Sequence, residues 1–288
     1  DIDEGEIFFF FCPNGSGKTT TIRMLSTLLE PDEGTAWINN HCIHTEQKKV
    51  RKIIGYMPDY FGVYEGVTIW EYLDFFARSY HIPRKVRVRI VKDCMELTDL
   101  TKLSNKLVSS LSKGMKQRLC LAKTLVHDPK VLILDEPASG LDPRARIEIR
   151  SLLKELANMG KTIFISSHIL TELSDIVTSI GIVEKGKTII TGSVNDISQA
   201  ITNTITIFIS IYENQQIDKA IELLSTIKDI INVRFEDNTV KLDFNGEEKN
   251  IYLIIKKLVD EDIPVISVSK QIKNLEDIFM QITKGDVS

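Results

Sequence analysis

Apolar runs and the polar breaks between them divide this chain into two differently patterned parts. In the first part, Ile7-Phe8-Phe9-Phe10-Phe11, Val131-Leu132-Ile133-Leu134 and Thr162-Ile163-Phe164-Ile165-Ser166 show no polar alternation. Such runs are expected of parallel strands covered on both faces. Residues 18–29 read as a helix after the first run, and Leu119 to Val126 as a helical stretch before the second. Thr35 to Ile38 reads as a strand entering a tight turn at Asn39-Asn40, a pair that tolerates left-handed backbone. The text from Phe61 to about Leu107 is helical, with Trp70, Tyr72, Leu73, Phe75 and Phe76 making its start rich in aromatic residues. Gly181-Ile182-Val183 and a Glu184-Lys185-Gly186-Lys187 turn close this pattern near Asn195.

A different rhythm follows. Ile205, Ile207, Ile209 and Ile211 alternate with mostly polar positions, which predicts a strand, and Ile217, Ala220, Ile221 and Leu224 have helical spacing. Residues 230–235 and 239–244 read as strands flanking Glu236-Asp237-Asn238, a hairpin signal. Ile251, Ile254, Ile255 and Leu258 mark a second helix, Pro264 to Val268 a last strand, and 274–283 a terminal helix. The order β-α-β-β-α-β is that of a ferredoxin-like domain. The chain therefore reads as two domains, 1–199 and 200–288, the first with a helical subdomain over about 61–128. The fold class expected is α/β for the first and α+β for the second.

Composition narrows the class without naming a function. The chain has 288 residues, 43% hydrophobic and 26% charged, proportions of a globular protein rather than of a disulfide scaffold or a disordered chain. A net charge of −4 leaves no footprint for nucleic acid. The four cysteines, Cys12, Cys42, Cys94 and Cys120, lack paired spacing, which fits reduced thiols in a cytoplasmic protein. His41-Cys42-Ile43-His44 clusters soft ligands, but it reads as a strand leaving the hairpin rather than a metal site. No apolar run reaches the roughly 20 residues needed to span a bilayer, and Asp1-Ile2-Asp3-Glu4 is unlike a signal peptide. The abrupt arrival of a strand and loop suggests that the natural N-terminus lies upstream.

The chemistry sits where the apolar runs end. Cys12-Pro13-Asn14-Gly15-Ser16-Gly17-Lys18-Thr19 lies between a strand and a helix and is one residue short of a phosphate-binding loop, with cysteine where the pattern has glycine. Gly15 and Gly17 let the backbone approach a polyphosphate, and the amides from Gly15 to Thr20 and the helix N-terminus attract its charge. Lys18 supplies a point charge, and Thr19 can offer its hydroxyl to Mg²⁺. Asp135 and Glu136 end the second run. The first acid can hold Mg²⁺ or its waters, and the second can orient or deprotonate an attacking water. His168 follows the third run and reads as a sensor of the terminal phosphate. Leu111-Ser112-Lys113-Gly114-Met115-Lys116-Gln117-Arg118 is a further helix start that can bind an anion. The phosphate loop alone leaves kinases, GTPases and helicases open.

Taken in order, the loop at 12–19, the Leu-Ser-Lys-Gly-Met segment, Leu134-Asp135-Glu136-Pro137, Ser139-Gly140-Leu141-Asp142 and His168 resemble the ATP-binding cassette of ABC transporters, over residues 1 to about 195. The resemblance implies an ATP-hydrolysing subunit that uses ATP and Mg²⁺, with Asn14 to Thr20 cradling the phosphates. It implies a second cassette facing the first head to tail, a homodimer or a paralogue pair. Ser112 and Gly114 would then reach the ATP of the opposing subunit, Asp142 would lie at the seam, and Arg118 would support that region. It implies a separate integral membrane permease, no span of its own, and a place on the cytoplasmic face of the cell membrane. Where the family most often has glutamine, this chain has Asp59, a carboxylate that can also ligate Mg²⁺ but adds negative charge near phosphates. Lys113 and Met115 depart from the commonest signature in a manner shared with exporter-type cassettes, which points to export. The runner-up is a degenerate cassette that binds nucleotide and hydrolyses it weakly, motivated by Cys12 and Asp59. The C-terminal domain is expected to regulate the cassette or support its dimer.

Overall fold

The computed structural model describes residues 1–13, 15–60, 62–64, 66–169, 175–194, 197, 205–212, 216–236 and 239–270. Asn14, the hairpin tip at Asp237-Asn238 and the helix expected over 274–283 lie outside the described residues. The chain divides into two compact units, Asp1–Val194 and Asn195–Ser288.

The first unit is built on a six-stranded sheet in the order β4-β5-β6-β1-β7-β8. Its strands are β1 (Ile7–Phe11), β4 (Ile54–Met57), β5 (Val131–Asp135), β6 (Thr162–Ser167), β7 (Ser179–Glu184) and β8 (Lys187–Ser193). All neighbours run parallel except the β7–β8 hairpin at one edge. Every residue of β1 is buried, as its unbroken apolar run demands for a strand flanked on both sides and covered on both faces. Phe8, Phe10, Ile133, Phe164 and Val183 share one face with Ile22 of α1 (Lys18–Leu25) and Val50 of α2 (Gln47–Ile53). Phe8 and Phe10 both lie against the Phe164 ring, with centroids 5.5 and 5.2 Å away, separations at which aromatic pairs contribute beyond their buried area.

Register aligns the strand ends. Phe11 pairs with Ser167, Asp135 with Ser166 and Met57 with Leu134. The turns leaving β1, β4, β5 and β6 therefore emerge at one level on the carboxyl edge, where open α/β sheets collect ligands.

Several boundaries differ from the sequence reading, each for a local reason. Helix α1 stops at Leu25 rather than at residue 29, because Thr27 adopts φ 60° and the amides of Leu28 and Leu29 turn back to the Arg23 carbonyl. The strand expected over 35–38 contracts to β2 (Trp37–Ile38), which pairs with β3 (His41–Cys42). The turn between them keeps the expected left-handed pair, with Asn39 at φ 47° and Asn40 at φ 63°. The stretch after Phe61 resolves into α3 (Ile69–Ser79), opened by a Thr68/Glu71 capping box, and α4 (Arg84–Leu97), which Pro83 precedes. Helix α5 (Lys113–Leu125) begins six residues before Leu119, with Ser112 as its N-cap. Helix α6 (Pro143–Asn158) has no counterpart in the sequence reading, although Asp142-Pro143 is a cap followed by a first-turn proline.

Gly55 in β4 seats α5 against the sheet. A Cβ there would lie 2.7 Å from Thr124 Cγ2, 2.8 Å from the Thr124 carbonyl and 2.9 Å from Pro129, so only glycine allows the approach. His127, just past the helix, bonds the Ile54 carbonyl at 2.8 Å through Nε2.

The second unit carries β9 (Ile205–Ile211), α7 (Ile217–Ser225), β10 (Ile230–Glu236), β11 (Thr239–Phe244), α8 (Ile251–Asp260) and β12 (Val265–Lys270). Its sheet is antiparallel in the order β10-β11-β9-β12, which with the β-α-β-β-α-β sequence makes a ferredoxin-like fold. Ile207, Ile209, Ile211, Val240, Leu242 and Phe244 form the face that receives Ala220 and Leu224 of α7 and Ile254 and Leu258 of α8. The other face is polar, with Thr206 donating to Asp243 at 2.9 Å and the Lys241 ammonium over the Phe208 ring. Both edge strands carry an irregularity, between Ile230 and Asn232 and between Val265 and Ser267, a device that discourages edge-to-edge pairing.

Phe9 is fully buried in the central strand. Phe9→Ala is expected to destabilise the first unit by about 3–5 kcal/mol, read from denaturant unfolding; a loss below about 1 kcal/mol would contradict its central position.

Candidate active site

The turn after β1 folds on itself. The Ser16 amide and hydroxyl both bond the Pro13 carbonyl, at 3.2 and 2.6 Å. Gly17 precedes α1 at φ 97°, a conformation that costs a side chain far more than it costs glycine. Cys12 is fully buried with Phe8, Phe10 and Ile22. It ends the strand inside the core and does not line the cleft beside it, which accounts for a small apolar residue standing where the loop pattern has glycine. Burial pushes its thiol up to about 11.

That cleft has a volume of about 490 Å³. Gly15, Gly17, Lys18, Thr19 and Thr20 line it from the loop and the first turn of α1. Asp59 enters from beyond β4, Asp135 and Glu136 from the end of β5, and His168 from the end of β6. Ser139 also lines it. Ser16 is buried beneath the loop rather than lining the cleft.

Two buried acids organise the floor. Ser166 Oγ donates to Asp135 Oδ1 at 2.5 Å. Burial raises the Asp135 carboxyl above the ordinary aspartate value; the Ser166 bond and Lys18 pull it back, while Asp59 and Glu136 push it further. Glu136 stands at φ 52°, its amide bonded to the Ser166 carbonyl at 3.0 Å. Its Oε1 accepts from Lys18 Nζ, from the His168 amide at 3.1 Å and from His168 Nδ1 at 2.7 Å. Because a carboxylate only accepts, Nδ1 carries the proton. Oε2 accepts from Ser167 Oγ at 3.1 Å. Gln117, buried on α5, donates to the carbonyls of Pro137 at 2.5 Å and Glu136 at 3.4 Å, clamping the turn that carries the glutamate. The sequence reading assigned no role to Ser166, Ser167, Ser139 or Gln117. The serines had one signal, a pair of hydroxyls closing an apolar run; the contacts of Gln117 and Ser139 are tertiary.

Ser112, Gly114 and Asp142 are not among the residues lining this cleft. Ser112 Oγ accepts from the Met115 amide at 3.3 Å and Asp142 Oδ1 from the Ala145 amide at 3.0 Å, so each caps its helix. The two helix starts are neighbours, since a Cβ on Gly114 would stand 3.4 Å from Ala145 and 3.6 Å from Leu141. Arg118 ties α5 to Asp99 at 3.2 Å and to Glu148.

The donor set suits Mg²⁺, a hard cation that takes oxygen ligands and retains waters. Thr19, Asp59 and Asp135, each with a side-chain oxygen donor, line the same cleft as the loop.

A phosphate loop after a buried parallel strand, two acids at the end of a second and a histidine at the end of a third define a P-loop nucleoside triphosphatase. Residues 1–139 match the family model described as "ABC transporter". An ABC transporter ATP-binding protein of Bacillus subtilis, YhcH, is 35% identical over 283 residues, 98% of this chain and 88% of that protein. The linearmycin resistance ATP-binding protein LnrL of B. subtilis is 29% identical over 98% of this chain and 91% of its own length. Among solved structures, the bacterial ABC transporter cassette MJ0796, described as dimeric, aligns with a TM-score of 0.60 and 25% identity over 67% of this chain and 87% of that one. The chain belongs to the ATP-binding subunits of ABC transporters, ATPases that power transport, work with membrane permease partners and dimerise. Among the described residues, no helix is long and apolar enough to cross a membrane.

The thiols give a direct check on this packing. Hydrogen bonds, chiefly from Thr35, lower Cys42 to about 6, whereas burial raises Cys12, Cys94 and Cys120 to about 11, 12 and 11. The thiolate is the reactive form, so Cys42 is expected to alkylate first. Its rate should rise through about pH 6 and level by pH 7, with the other three labelled only on unfolding. Peptide mass mapping after timed iodoacetamide treatment reads this; early labelling of Cys12 would place it in the cleft instead of the core.

Proposed function

We propose that this chain is the energy-coupling subunit of an exporter, acting on the cytoplasmic face of the cell membrane with a separate integral membrane permease and a second cassette, either a copy or a paralogue. The observation that carries the catalytic part is the convergence of Lys18, Ser167 and His168 on the carboxylate of Glu136, with Asp135 beside it. The drug-resistance name of LnrL supports export.

In this reading the amides from Gly15 to Thr20, with Ser16 bracing the turn, cradle the phosphates, and Asn14 completes the loop. Lys18 neutralises phosphate charge. Thr19, Asp135 and Asp59 hold Mg²⁺, which when bound draws negative charge from the phosphate oxygens. Glu136 orients the attacking water and takes its proton, a role that needs a base within hydrogen-bond reach of the nucleophile. The Ser167 and His168 contacts hold that carboxylate at the strand end. His168, with Nδ1 committed to Glu136, keeps Nε2 for the transferred phosphoryl group. Ser112 and Gly114, placed side by side with the start of α6, serve the nucleotide of the facing subunit, and Asp142 lies at the seam. The ferredoxin-like unit regulates the cassette or supports its dimer.

Glu136→Gln is expected to leave ATP affinity within about threefold and to lower turnover by about 100-fold or more, the scale of a lost general base. Steady-state hydrolysis, with and without membranes containing the partner, together with equilibrium ATP binding, reads both quantities. Turnover retained by the variant would overturn the assignment of the base. Deleting residues 200–288 should change dimerisation, ATPase rate or complex assembly; no change in any of them would remove the role given to the second unit.

A further inference from the structure

The residues lining the cleft carry three carboxylates, Asp59, Asp135 and Glu136, and one permanent cation, Lys18. Lys18 is paired with Glu136 and also acts on the Asp135 carboxyl, so one ammonium serves both buried acids, and Asp59 has no cation of its own among the cleft-lining residues. Asp59 and Asp135 stand together because of register. Met57 of β4 pairs with Leu134 of β5, so Asp59, two residues beyond β4's pairing, and Asp135, one beyond β5's, leave adjacent strands at the same edge. Asp59 is exposed and does not contribute to the core.

We infer that Asp59 is a specificity determinant for the charge state of the nucleotide: it makes the site accept the divalent-cation complex of ATP and reject metal-free ATP. The inference rests on the nucleotide reading above and deepens it. A free triphosphate brings its full negative charge toward three carboxylates that share one ammonium, with Asp59 the one farthest from compensation. A bound divalent cation removes much of that charge and turns Asp59 and Asp135 from repellent neighbours into oxygen ligands. A neutral amide in place of Asp59 would offer an oxygen ligand without this penalty against the bare nucleotide. Because Asp59 is exposed, its effect is scaled by a dielectric near that of water: about tenfold in affinity for a multiply charged ligand a few ångströms away, shrinking as salt screens it.

The test is equilibrium ATP binding to the full chain by titration calorimetry, once with excess Mg²⁺ and once with EDTA, for wild type, Asp59→Asn and Asp59→Gln. The expected result is a preference for Mg-ATP in the wild type that falls about tenfold in both variants, chiefly because metal-free ATP binds them more tightly. Raising salt should narrow the wild-type preference more than that of the variants. A preference equal within about twofold across all three proteins, with the same salt response, overturns the inference while leaving the nucleotide reading intact. Failure of wild type to bind ATP in either condition overturns the nucleotide reading, and this inference with it.

Discussion

The site depends on parallel register. Strands β1, β4, β5 and β6 begin at different places in the sequence and are separated by helices of different length. Their hydrogen-bonded pairing nevertheless brings their last residues level, so the phosphate loop, Asp59, the acid pair and His168 meet at one edge. A one-residue slip of β5 would turn every side chain to the opposite face and exchange the environments of Asp135 and its neighbours. The unbroken apolar runs protect against this only in part, because they bury either face equally well. Individual fits supply the rest, such as Phe8 and Phe10 against Phe164 and Gly55 beneath Thr124.

Burial and charge work against each other at the carboxyl edge, and hydroxyls mediate. Asp135 and Glu136 are almost completely shielded from solvent, a costly place for carboxylates unless they are hydrogen-bonded or paired. Ser166 and Ser167, successive residues of β6, face one acid each. Lys18 and His168 close the remaining positions on Glu136. The two acids thus sit in different settings although they are adjacent in the chain: Asp135 is bonded to the Ser166 hydroxyl, Glu136 to the Ser167 hydroxyl, the lysine and the histidine. That separation lets neighbouring carboxylates serve different tasks.

Much of this was legible before any coordinates. Strands buried on both faces leave apolar runs that few other structures produce, and a glycine-rich turn before a helix has limited alternatives, so the positions of β1, β5, β6 and the loop could be read directly. The second unit was readable because its strands alternate and its helices keep their spacing. The missed features share one cause, dependence on partners distant in sequence. Nothing local to Gln117 says that its amide reaches two carbonyls beyond β5, and nothing in residues 18–29 announces that Thr27 turns left-handed and ends the helix. Helix α6 is locally encoded by Asp142-Pro143, but the family resemblance directs Asp142 to the seam rather than to the cap. Ser112, Gly114 and Asp142 were legible as motifs, and the family resemblance assigns them to a facing subunit rather than to this chain's cleft, whose lining does not include them.

Gly55 gives the cassette a mechanical property. Helix α5, capped by Ser112, is about 20 Å long, and near its other end Thr124 rests directly on Gly55 of the strand that leads to Asp59. Such a seat leaves no slack: a displacement of the helix toward the sheet at this point would have to move β4 with it. The smallest residue in the chain thus couples the helix that Ser112 caps to the strand that leads to Asp59.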